Sequence, residues 1–256
     1  MRSLLFVPAI EKMMSKIASF SADTYIVDLE DSIVPEKKET ALKAIQSFLT
    51  SKPHNVYIRL DGNLMKEELS VLKDYEFEGY MIPKFEDPDD YEESKPLTLN
   101  KKIIALVETP KGIINIERIA SCEWVDAIAF GAEDFTSSMG MINQDNYLIG
   151  VRMQMVLYAK ACNKPVFDSP SFALDDPQKF REQVQMAQEM GFDGKMAINP
   201  NQIAVIDEVF NACDEEYMRG VIEQYEKSGE AVVKINGKVY EKMHINHFKR
   251  ILRERI

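Results

Sequence analysis

Eight short apolar runs, each followed by a segment of helical periodicity, constrain the fold of this chain most strongly. Each run is rich in Val, Ile, Leu, Phe and Ala and ends in Gly, Pro or charge, a pattern typical of strands buried on both faces. A right-handed strand–helix–strand connection makes successive strands parallel neighbours. Eight such units predict a TIM (β/α)8 barrel. With their flanks, the runs are LLFVPA, TYIVDLEDS, NVYIRLDG, GYMIPKFED, KKIIALVETPKG, DAIAFGAEDF, PVFDSPS and GFDGKMAINP.

A doubly wound open sheet is the competing architecture for the same alternation. It usually carries a glycine-rich phosphate loop after its first strand, and the segment VPAIEK contains no glycine. We therefore predict a barrel over residues 1–212 and a C-terminal extension over residues 213–256. The extension contains a helical segment, a hairpin that turns at Asn236–Gly237 and a basic helix. It is open to three interpretations: a lid, an oligomerisation arm or a plain surface extension.

The charge balance narrows the range of partners. The chain has 256 residues, with 31 Lys and Arg against 42 Asp and Glu, and a net charge of −11. Such an acidic protein is poorly suited to nucleic-acid backbones or anionic membranes. No apolar stretch approaches the ~20 residues of a transmembrane helix, and the amino terminus lacks a signal-peptide pattern. Three scattered cysteines indicate neither a disulfide framework nor a zinc site. We predict a cytoplasmic protein.

Charged residues collect where the predicted strands end. Glu108 follows the fifth run and Asp134 the sixth, so parallel neighbouring strands would bring both carboxylates to one end of the barrel. Hard oxygen ligands with little nitrogen or sulfur nearby favour magnesium over zinc. Barrel active sites lie at this end, and the strand starts carry fewer charges. The residues expected there are Pro8, Asp28, Glu30, Asp31, Arg59, Lys84, Glu86, Glu108, Glu133, Asp134, Asp168 and Lys195.

These residue types suit chemistry on a 2-oxo acid. A divalent cation together with Arg and Lys keeps several neighbouring carboxylates ionised. Arg59 offers a planar fork to a substrate carboxylate, and a metal beside it could polarise the substrate carbonyl. That arrangement favours making or breaking a carbon–carbon bond next to an enolate. Lys84 and Lys195 leave a Schiff-base aldolase as a minor alternative, because such a lysine should be desolvated and distant from dense acid.

Seven ordered segments resemble the motifs of one family. The sequence is similar to the HpcH/HpaI aldolase and citrate lyase β-subunit family, in particular its CitE-like branch, over about residues 2–206. The resemblance implies a TIM barrel, a magnesium ion, usually a homotrimer, and cleavage or formation of a 3-hydroxyacyl-CoA thioester. The segments are RSLLFVPA, VDLEDSI, IRLD, IPKFE, LVETPKG, FGAEDF and GFDGKMAINPNQI.

The resemblance also implies roles for individual residues. Glu108 and Asp134 match the family's metal ligands, and Glu108 therefore lies beside the substrate. Arg59 matches the arginine that binds the substrate carboxylate and carbonyl. Arg2 lies in a segment that some relatives use near the CoA phosphates. Glu241, in NGKVYEKMH, takes the place of a lid carboxylate that a neighbouring subunit supplies as proton donor or acceptor.

Two departures from the family pattern leave the substrate open. Asp61 stands where Asn is usual and Asn199 where His is usual, and the tail matches the closing motif only loosely. The leading hypothesis is a magnesium-dependent carbon–carbon lyase on a citryl-, malyl- or citramalyl-type thioester of CoA or an acyl carrier. A CoA-independent aldolase on small hydroxy acids and a non-catalytic paralogue that binds metal and 2-oxo acid are the alternatives.

Overall fold

A closed barrel of eight parallel strands forms the first part of the chain in this computed structural model, which describes residues 1–98, 101–211 and 215–253. Each strand pairs with its neighbours in chain order, and β1 pairs with β8 to close the sheet. The TIM-barrel prediction is confirmed, and the open-sheet alternative is wrong. The strands are β1 (Ser3–Pro8), β2 (Thr24–Asp28), β3 (Val56–Arg59), β4 (Gly79–Ile82), β5 (Lys102–Val107), β6 (Ala127–Phe130), β7 (Val166–Asp168) and β8 (Gly194–Ala197).

Helices connect the strands and cover the outside of the barrel. Several begin at a proline, whose fixed φ and missing N–H suit the first helical turn. Short 3-10 turns occur at Ile17–Ser19, Pro35–Lys37, Pro88–Tyr91, Lys95–Thr98 and Pro200–Gln202. The α-helices are α1 (Glu11–Met14), α2 (Lys38–Leu49), α3 (Met65–Leu72), α4 (Pro110–Ile114), α5 (Ile116–Ser121), α6 (Ala132–Met139), α7 (Asp145–Ala161), α8 (Pro177–Met190) and α9 (Ile203–Asn211). None of the described helices has the length and apolar character needed to cross a membrane.

Alternate residues of each strand belong to two different cores, because successive side chains of a strand point to opposite faces. One core fills the barrel interior and the other lies between strands and helices. Ile26, Tyr57 and Leu106 belong to the interior set. Asp28, Arg59 and Glu108 come two residues after these positions, so strand alternation places all three in the barrel mouth.

The chain divides into two compact units, Met1–Phe210 and Asn211–Ile256. The second contains α10 (Glu215–Ser228), β9 (Val232–Ile235), β10 (Lys238–Glu241) and α11 (Lys242–Arg253). Its antiparallel hairpin turns where predicted, with Asn236 at φ 48° and Gly237 at φ 81°, the positive φ values of a type I′ turn. The predicted boundary between residues 212 and 213 lies outside the described residues, and its exact position stays a prediction.

Candidate active site

Arg59, the last residue of β3, lies at the centre of a charged cluster at the carboxyl end of the barrel. Its Nε and Nη2 donate to Oδ1 and Oδ2 of Asp28 at 2.7 and 2.8 Å. Its Nη1 lies 3.3 Å from Glu30 Oε2, and Nη2 also lies 2.9 Å from Asp31 Oδ2. The guanidinium carbon sits 5.0 Å from the centre of the Phe6 ring. The side edge of the guanidinium, formed by Nε and Nη2, is therefore bound to Asp28. The end-on edge, formed by Nη1 and Nη2, faces Glu30 and Asp31.

The pair of Arg59 and Asp28 stays charged although both side chains are buried. Burial alone would raise the pKa of Asp28, but the hydrogen bonds and charge of Arg59 bring that pKa below its usual value. Burial would likewise lower the pKa of Arg59, and the hydrogen bonds from Nε and Nη2 to Asp28 more than reverse it. The barrel mouth thus contains a permanent cation with a fixed orientation.

Glu108 follows β5 directly and is held from two sides. Its Oε1 accepts a hydrogen bond of 2.8 Å from the backbone N–H of Lys84, whose φ of 47° is unusual for a residue with a side chain. A Cβ added to Gly131 would lie 2.5 Å from the Cβ of Glu108 and closer still to its Oε2. The position after β6 therefore requires glycine if Glu108 is to keep this place.

The surroundings of Glu108 disfavour its negative charge. Burial raises the pKa of Glu108 to about 8 against the hydrogen bond from Lys84, and the charges of Glu30 and Asp134 raise it further. Lys84 donates from Nζ to Glu30 Oε1 at 2.7 Å, and burial nevertheless raises the pKa of Glu30. The acids in this region thus exceed the cations that can compensate them.

Asp134 lies in the first turn of α6, immediately beyond β6. Acids are common there because they interact favourably with the helix dipole, but Asp134 also faces a cavity of about 370 Å³. Arg59 and Glu108 line the same cavity. Three of the five predicted site residues therefore come together. The other charged and apolar residues that line it include Asp28, Asp31, Glu133, Phe6, Leu106 and Met196.

Arg2 and Glu241, the other two predicted site residues, have contacts of their own. Arg2 precedes β1 at the amino end of the strands, where its Nη1 donates to the carbonyl of Asp193 at 2.9 Å. Glu241 ends β10 in the second unit, with an exposed side chain and its backbone N–H donating to His244 Nδ1 at 3.0 Å. The roles that the resemblance implies for these two residues stay predictions.

Lys195 does not lie beyond its strand, contrary to expectation. It is the second residue of β8, and its ammonium contacts the carboxylate of Asp168, which Arg152 Nε approaches to 2.8 Å. All three side chains are buried, and Lys195 lines a second cavity of about 480 Å³ that shares Glu133, Ser169 and Phe172 with the first. Burial lowers the pKa of Lys195 despite Asp168, but the ion pair with Asp168 disfavours the Schiff-base alternative.

Asp61 and Asn199, the two departures from the family pattern, both make hydrogen bonds or ion pairs in the structure. Asp61 accepts from Lys38 at 2.6 Å, and the same ammonium donates to the backbone carbonyls of Leu29 and Glu30. Asn199 caps the 3-10 turn that follows β8, accepting from the backbone N–H of Asn201 at 2.9 Å. The sequence contains no local pattern that would have revealed the partnership of Lys38 with Asp61.

The donor set fits a magnesium ion with open coordination positions. Magnesium is commonly bound through one or two carboxylates, with water and ligand completing the shell, and Glu108 and Asp134 provide two. Within residues 1–98, 101–211 and 215–253, no three His, Cys, Asp or Glu side chains form a group that could hold a metal ion. The raised pKa of Glu108 indicates a place where a cation would relieve unfavourable negative charge.

A (β/α)8 barrel with an arginine and facing carboxylates at its carboxyl end belongs to the class of α/β-barrel enzymes. The chain belongs to the HpcH/HpaI aldolase/citrate lyase family, whose model matches residues 2–200. The family predicted from the seven ordered segments is therefore confirmed. The predicted enzyme class, a carbon–carbon lyase, is confirmed with it.

Named relatives agree with the family. The chain is 25% identical over 258 residues to a (3S)-malyl-CoA thioesterase from Cereibacter sphaeroides, covering 95% of this chain and 90% of the relative. It is 28% identical over 247 residues to the mitochondrial citramalyl-CoA lyase of Homo sapiens, covering 84% and 72%. The solved citrate lyase beta subunit from M. tuberculosis, complexed with oxaloacetate and magnesium, is 26% identical with a TM-score of 0.73, covering 81% of this chain and 96% of that one.

Proposed function

We propose that this protein is a magnesium-dependent lyase that cleaves or forms a 3-hydroxyacyl thioester of the citryl, malyl or citramalyl type. The products of cleavage are a 2-oxo acid and an acyl thioester. The observation that carries this proposal is the convergence of Arg59, Glu108 and Asp134 on one cavity. The names of the relatives support the substrate class, since they include a citramalyl-CoA lyase and a citrate lyase subunit with bound oxaloacetate.

Glu108 and Asp134 are the proposed magnesium ligands. Glu108 directly follows β5 and Asp134 lies in the first turn of α6, just beyond the neighbouring strand β6. A divalent cation would compensate the negative charge around Glu108. The bound ion supplies Lewis-acid polarisation of the substrate carbonyl. Gly131 permits Glu108 to lie over the end of β6, and the backbone of Lys84 orients it.

Arg59 is the proposed binding group for the carboxylate of the 2-oxo acid. Its position is fixed by Asp28 through Nε and Nη2, so a ligand would bind at the remaining edge, where Glu30 and Asp31 lie in this structure. A guanidinium binds a carboxylate through two parallel hydrogen bonds. This places the ligand beside Glu108 and Asp134, which line the same cavity.

Two proton transfers accompany the cleavage. The substrate hydroxyl loses a proton as the carbon–carbon bond breaks, and the carbon of the resulting thioester enolate gains one. Glu241, supplied by a neighbouring subunit of a homotrimer, is the proposed proton donor or acceptor, as the resemblance implies. Arg2 is a proposed contact of the CoA phosphates, as the resemblance implies.

The assembly is proposed to be cytoplasmic. Cys122 and Cys162 are free thiols, which suits a reducing compartment, while Cys213 lies outside the described residues. Light scattering of the purified protein tests the trimer directly. A monomeric protein with full turnover would contradict a catalytic Glu241 from a neighbouring subunit.

Thioester hydrolysis is the second candidate reaction. It is favoured by the similarity to a (3S)-malyl-CoA thioesterase across 95% of this chain. The two reactions differ in their products, because a lyase releases a 2-oxo acid and an acyl-CoA, whereas a thioesterase releases free CoA and a hydroxy acid. Quantifying free thiol and 2-oxo acid in the same assay separates them.

The deciding experiment is turnover of citryl-, malyl- and citramalyl-CoA by the purified protein, with and without magnesium. Glu108→Gln and Asp134→Asn should each abolish the magnesium-dependent release of 2-oxo acid. Glu133→Gln is the matched control, because it removes a carboxylate from the same cavity lining without removing either proposed ligand. Free CoA without 2-oxo acid would favour the thioesterase, and turnover of CoA-free hydroxy acids would favour the aldolase alternative.

Absence of all turnover, together with magnesium-dependent binding of pyruvate or oxaloacetate, would identify a non-catalytic paralogue. Thermal unfolding with each ligand detects that binding without turnover. If Glu108→Gln keeps the ligand-dependent stabilisation, the metal assignment is wrong.

A further inference from the structure

Glu30 and Asp31, the two acids at the end-on edge of Arg59, differ in burial and in the number of their ion-pair partners. Glu30 is buried, and Lys84 binds its second carboxylate oxygen at 2.7 Å. The Asp31 side chain is 57% exposed, with Oδ2 at 2.9 Å from Arg59 Nη2. Within the described part of the chain, Arg59 is the one cation with which Asp31 forms an ion pair. Asp31 is therefore the acid that can leave this edge most readily.

We propose that Asp31 is an internal competitor for the carboxylate of the 2-oxo acid. It occupies the end-on edge of Arg59 in the ligand-free protein, and an incoming carboxylate displaces it. The inference rests on the function proposed above, in which Arg59 binds that carboxylate. Asp31 then sets the affinity of the site for carboxylate ligands without contacting the reacting atoms.

Arg59 itself has little freedom to turn toward a ligand. Asp28 accepts from both Nε and Nη2, and the guanidinium lies over the ring of Phe6. A carboxylate that approaches from the cavity must bind the guanidinium where it already stands, and the departure of Asp31 opens Nη2 to it. Glu30 cannot easily make room, since Lys84 holds it. The exchange therefore takes place at Asp31.

The charge of the cavity gives the exchange a second consequence. The lining contains five carboxylates, those of Asp28, Asp31, Glu108, Glu133 and Asp134, and a single guanidinium. Even with a divalent cation bound, an entering anion meets excess negative charge. When Asp31 swings toward solvent as the ligand carboxylate takes its place, one negative charge leaves and one arrives. The exchange keeps the charge next to Arg59 nearly constant.

The test compares pyruvate binding to the wild-type protein and to Asp31→Asn, by calorimetry with saturating magnesium. Asparagine has nearly the same size as aspartate but no charge. Losing an exposed ion pair changes an equilibrium constant by about two- to fivefold, so the dissociation constant of pyruvate should fall by that factor. A crystal structure with pyruvate should show the Asp31 carboxylate turned away from Nη2.

Glu133→Gln is the control for a general charge effect. Glu133 lines the same cavity and binds Asn143 through Oε1 at 2.7 Å. If Glu133→Gln tightens pyruvate binding as much as Asp31→Asn, the effect is not specific to the edge of Arg59 and the proposal is overturned. An unchanged or weaker affinity of Asp31→Asn overturns it as well.

Two further measurements separate this inference from the function on which it rests. The wild-type protein must bind pyruvate with magnesium, and Arg59→Lys, which keeps a cation but loses the fork, must bind it more weakly at a temperature at which the variant is still folded. If either condition fails, the proposed role of Arg59 and the competitor role of Asp31 both fail. If both hold and Asp31→Asn does not bind more tightly, only the competitor role is wrong.

Discussion

Gly131 and Glu108 occupy adjoining space at the ends of β6 and β5, such that a Cβ on the glycine would lie 2.5 Å from the Cβ of the glutamate. The backbone at Gly131 has φ −100° and ψ 86°, so its need for glycine comes from the contact with Glu108 and not from a left-handed conformation. A methyl group at this position must displace the carboxylate that we propose as a magnesium ligand.

We therefore expect Gly131→Ala to weaken magnesium-dependent ligand binding and to destabilise the fold by about 1–3 kcal/mol through overpacking. Thermal unfolding with and without magnesium and pyruvate measures both effects. Gly150→Ala is the matched control, because Gly150 lies within α7 with open space around its Cβ position. That change should stabilise the helix by about 0.5–1 kcal/mol. Normal ligand binding by Gly131→Ala would contradict the close packing against Glu108.

Glu68 should make the stability of the barrel depend on pH. Its side chain is 2% exposed, and burial raises its pKa to about 8, although it accepts a hydrogen bond from the backbone of Asp61. A glutamate with a raised folded-state pKa contributes fully below its unfolded pKa of about 4.3, and that contribution is lost as the pH rises toward 8. The wild-type protein should thus lose stability between about pH 4.5 and pH 8.

Glu68→Gln should remove this loss, because glutamine can accept the same hydrogen bond and never ionises. The variant should match the wild-type protein near pH 5 and exceed it by about 2–4 kcal/mol near pH 8. Urea unfolding across this range measures the difference. Glu67→Gln, at an exposed position of the same helix, is the matched control variant. Parallel profiles for wild type and Glu68→Gln would show that Glu68 does not titrate in this range.

Asp168 compensates two buried cations, Lys195 and Arg152. Asp168→Asn removes that compensation and should destabilise the barrel by about 3–5 kcal/mol, the effect of leaving a buried charge unpaired. Glu208→Gln breaks the exposed pair with Arg181 and should change stability far less, because solvent screens exposed pairs. Urea midpoints and slopes for the two variants test the contrast. Equal small effects would mean that water or another acid compensates Lys195.

Glu241→Gln should separate turnover from ligand binding. Losing a positioned acid or base reduces turnover by about 10²–10⁴-fold, while magnesium-dependent pyruvate binding should persist because Arg59, Glu108 and Asp134 are intact. Glu230→Gln, another exposed carboxylate of the second unit, should turn over normally. Thioester assays and calorimetry on the same preparations test the prediction. If Glu241→Gln turns over normally, Glu241 has no part in proton transfer.

The barrel was predictable from the sequence because strand and helix periodicities repeat eight times, and the family segments fall on the strand ends. Glu108 and Asp134 could be assigned to one cavity for the same reason, since parallel neighbours end at the same side. Lys195 was predicted to follow β8, but it is the second residue of that strand. The sequence around Gly194 and Lys195 contains no signal that shows where β8 begins. The ion-pair partner of Lys195, Asp168, ends β7, 27 residues earlier in the chain.

The partners of Arg59 could not be predicted in detail. Three acids occur within four residues, at Asp28, Glu30 and Asp31, and the sequence does not indicate which of them binds which edge of the guanidinium. That depends on strand register, which pairs Asp28 with Arg59, and on side-chain rotamers. The contact of Gly131 with Glu108 was likewise beyond prediction, because a lone glycine after a strand has many possible reasons.

Successive residues of each strand belong to different cores. This alternation restricts insertions and deletions within the strands. A single residue inserted into β5 before Glu108 would turn that carboxylate toward the helices and bring Val107 into the mouth, because alternation has a period of two. Every chemical group on the affected strand would change sides at once. Insertions in the loops beyond the strands carry no such penalty. Diversification within this framework is therefore expected in the loops, while the lengths of the strands stay constant.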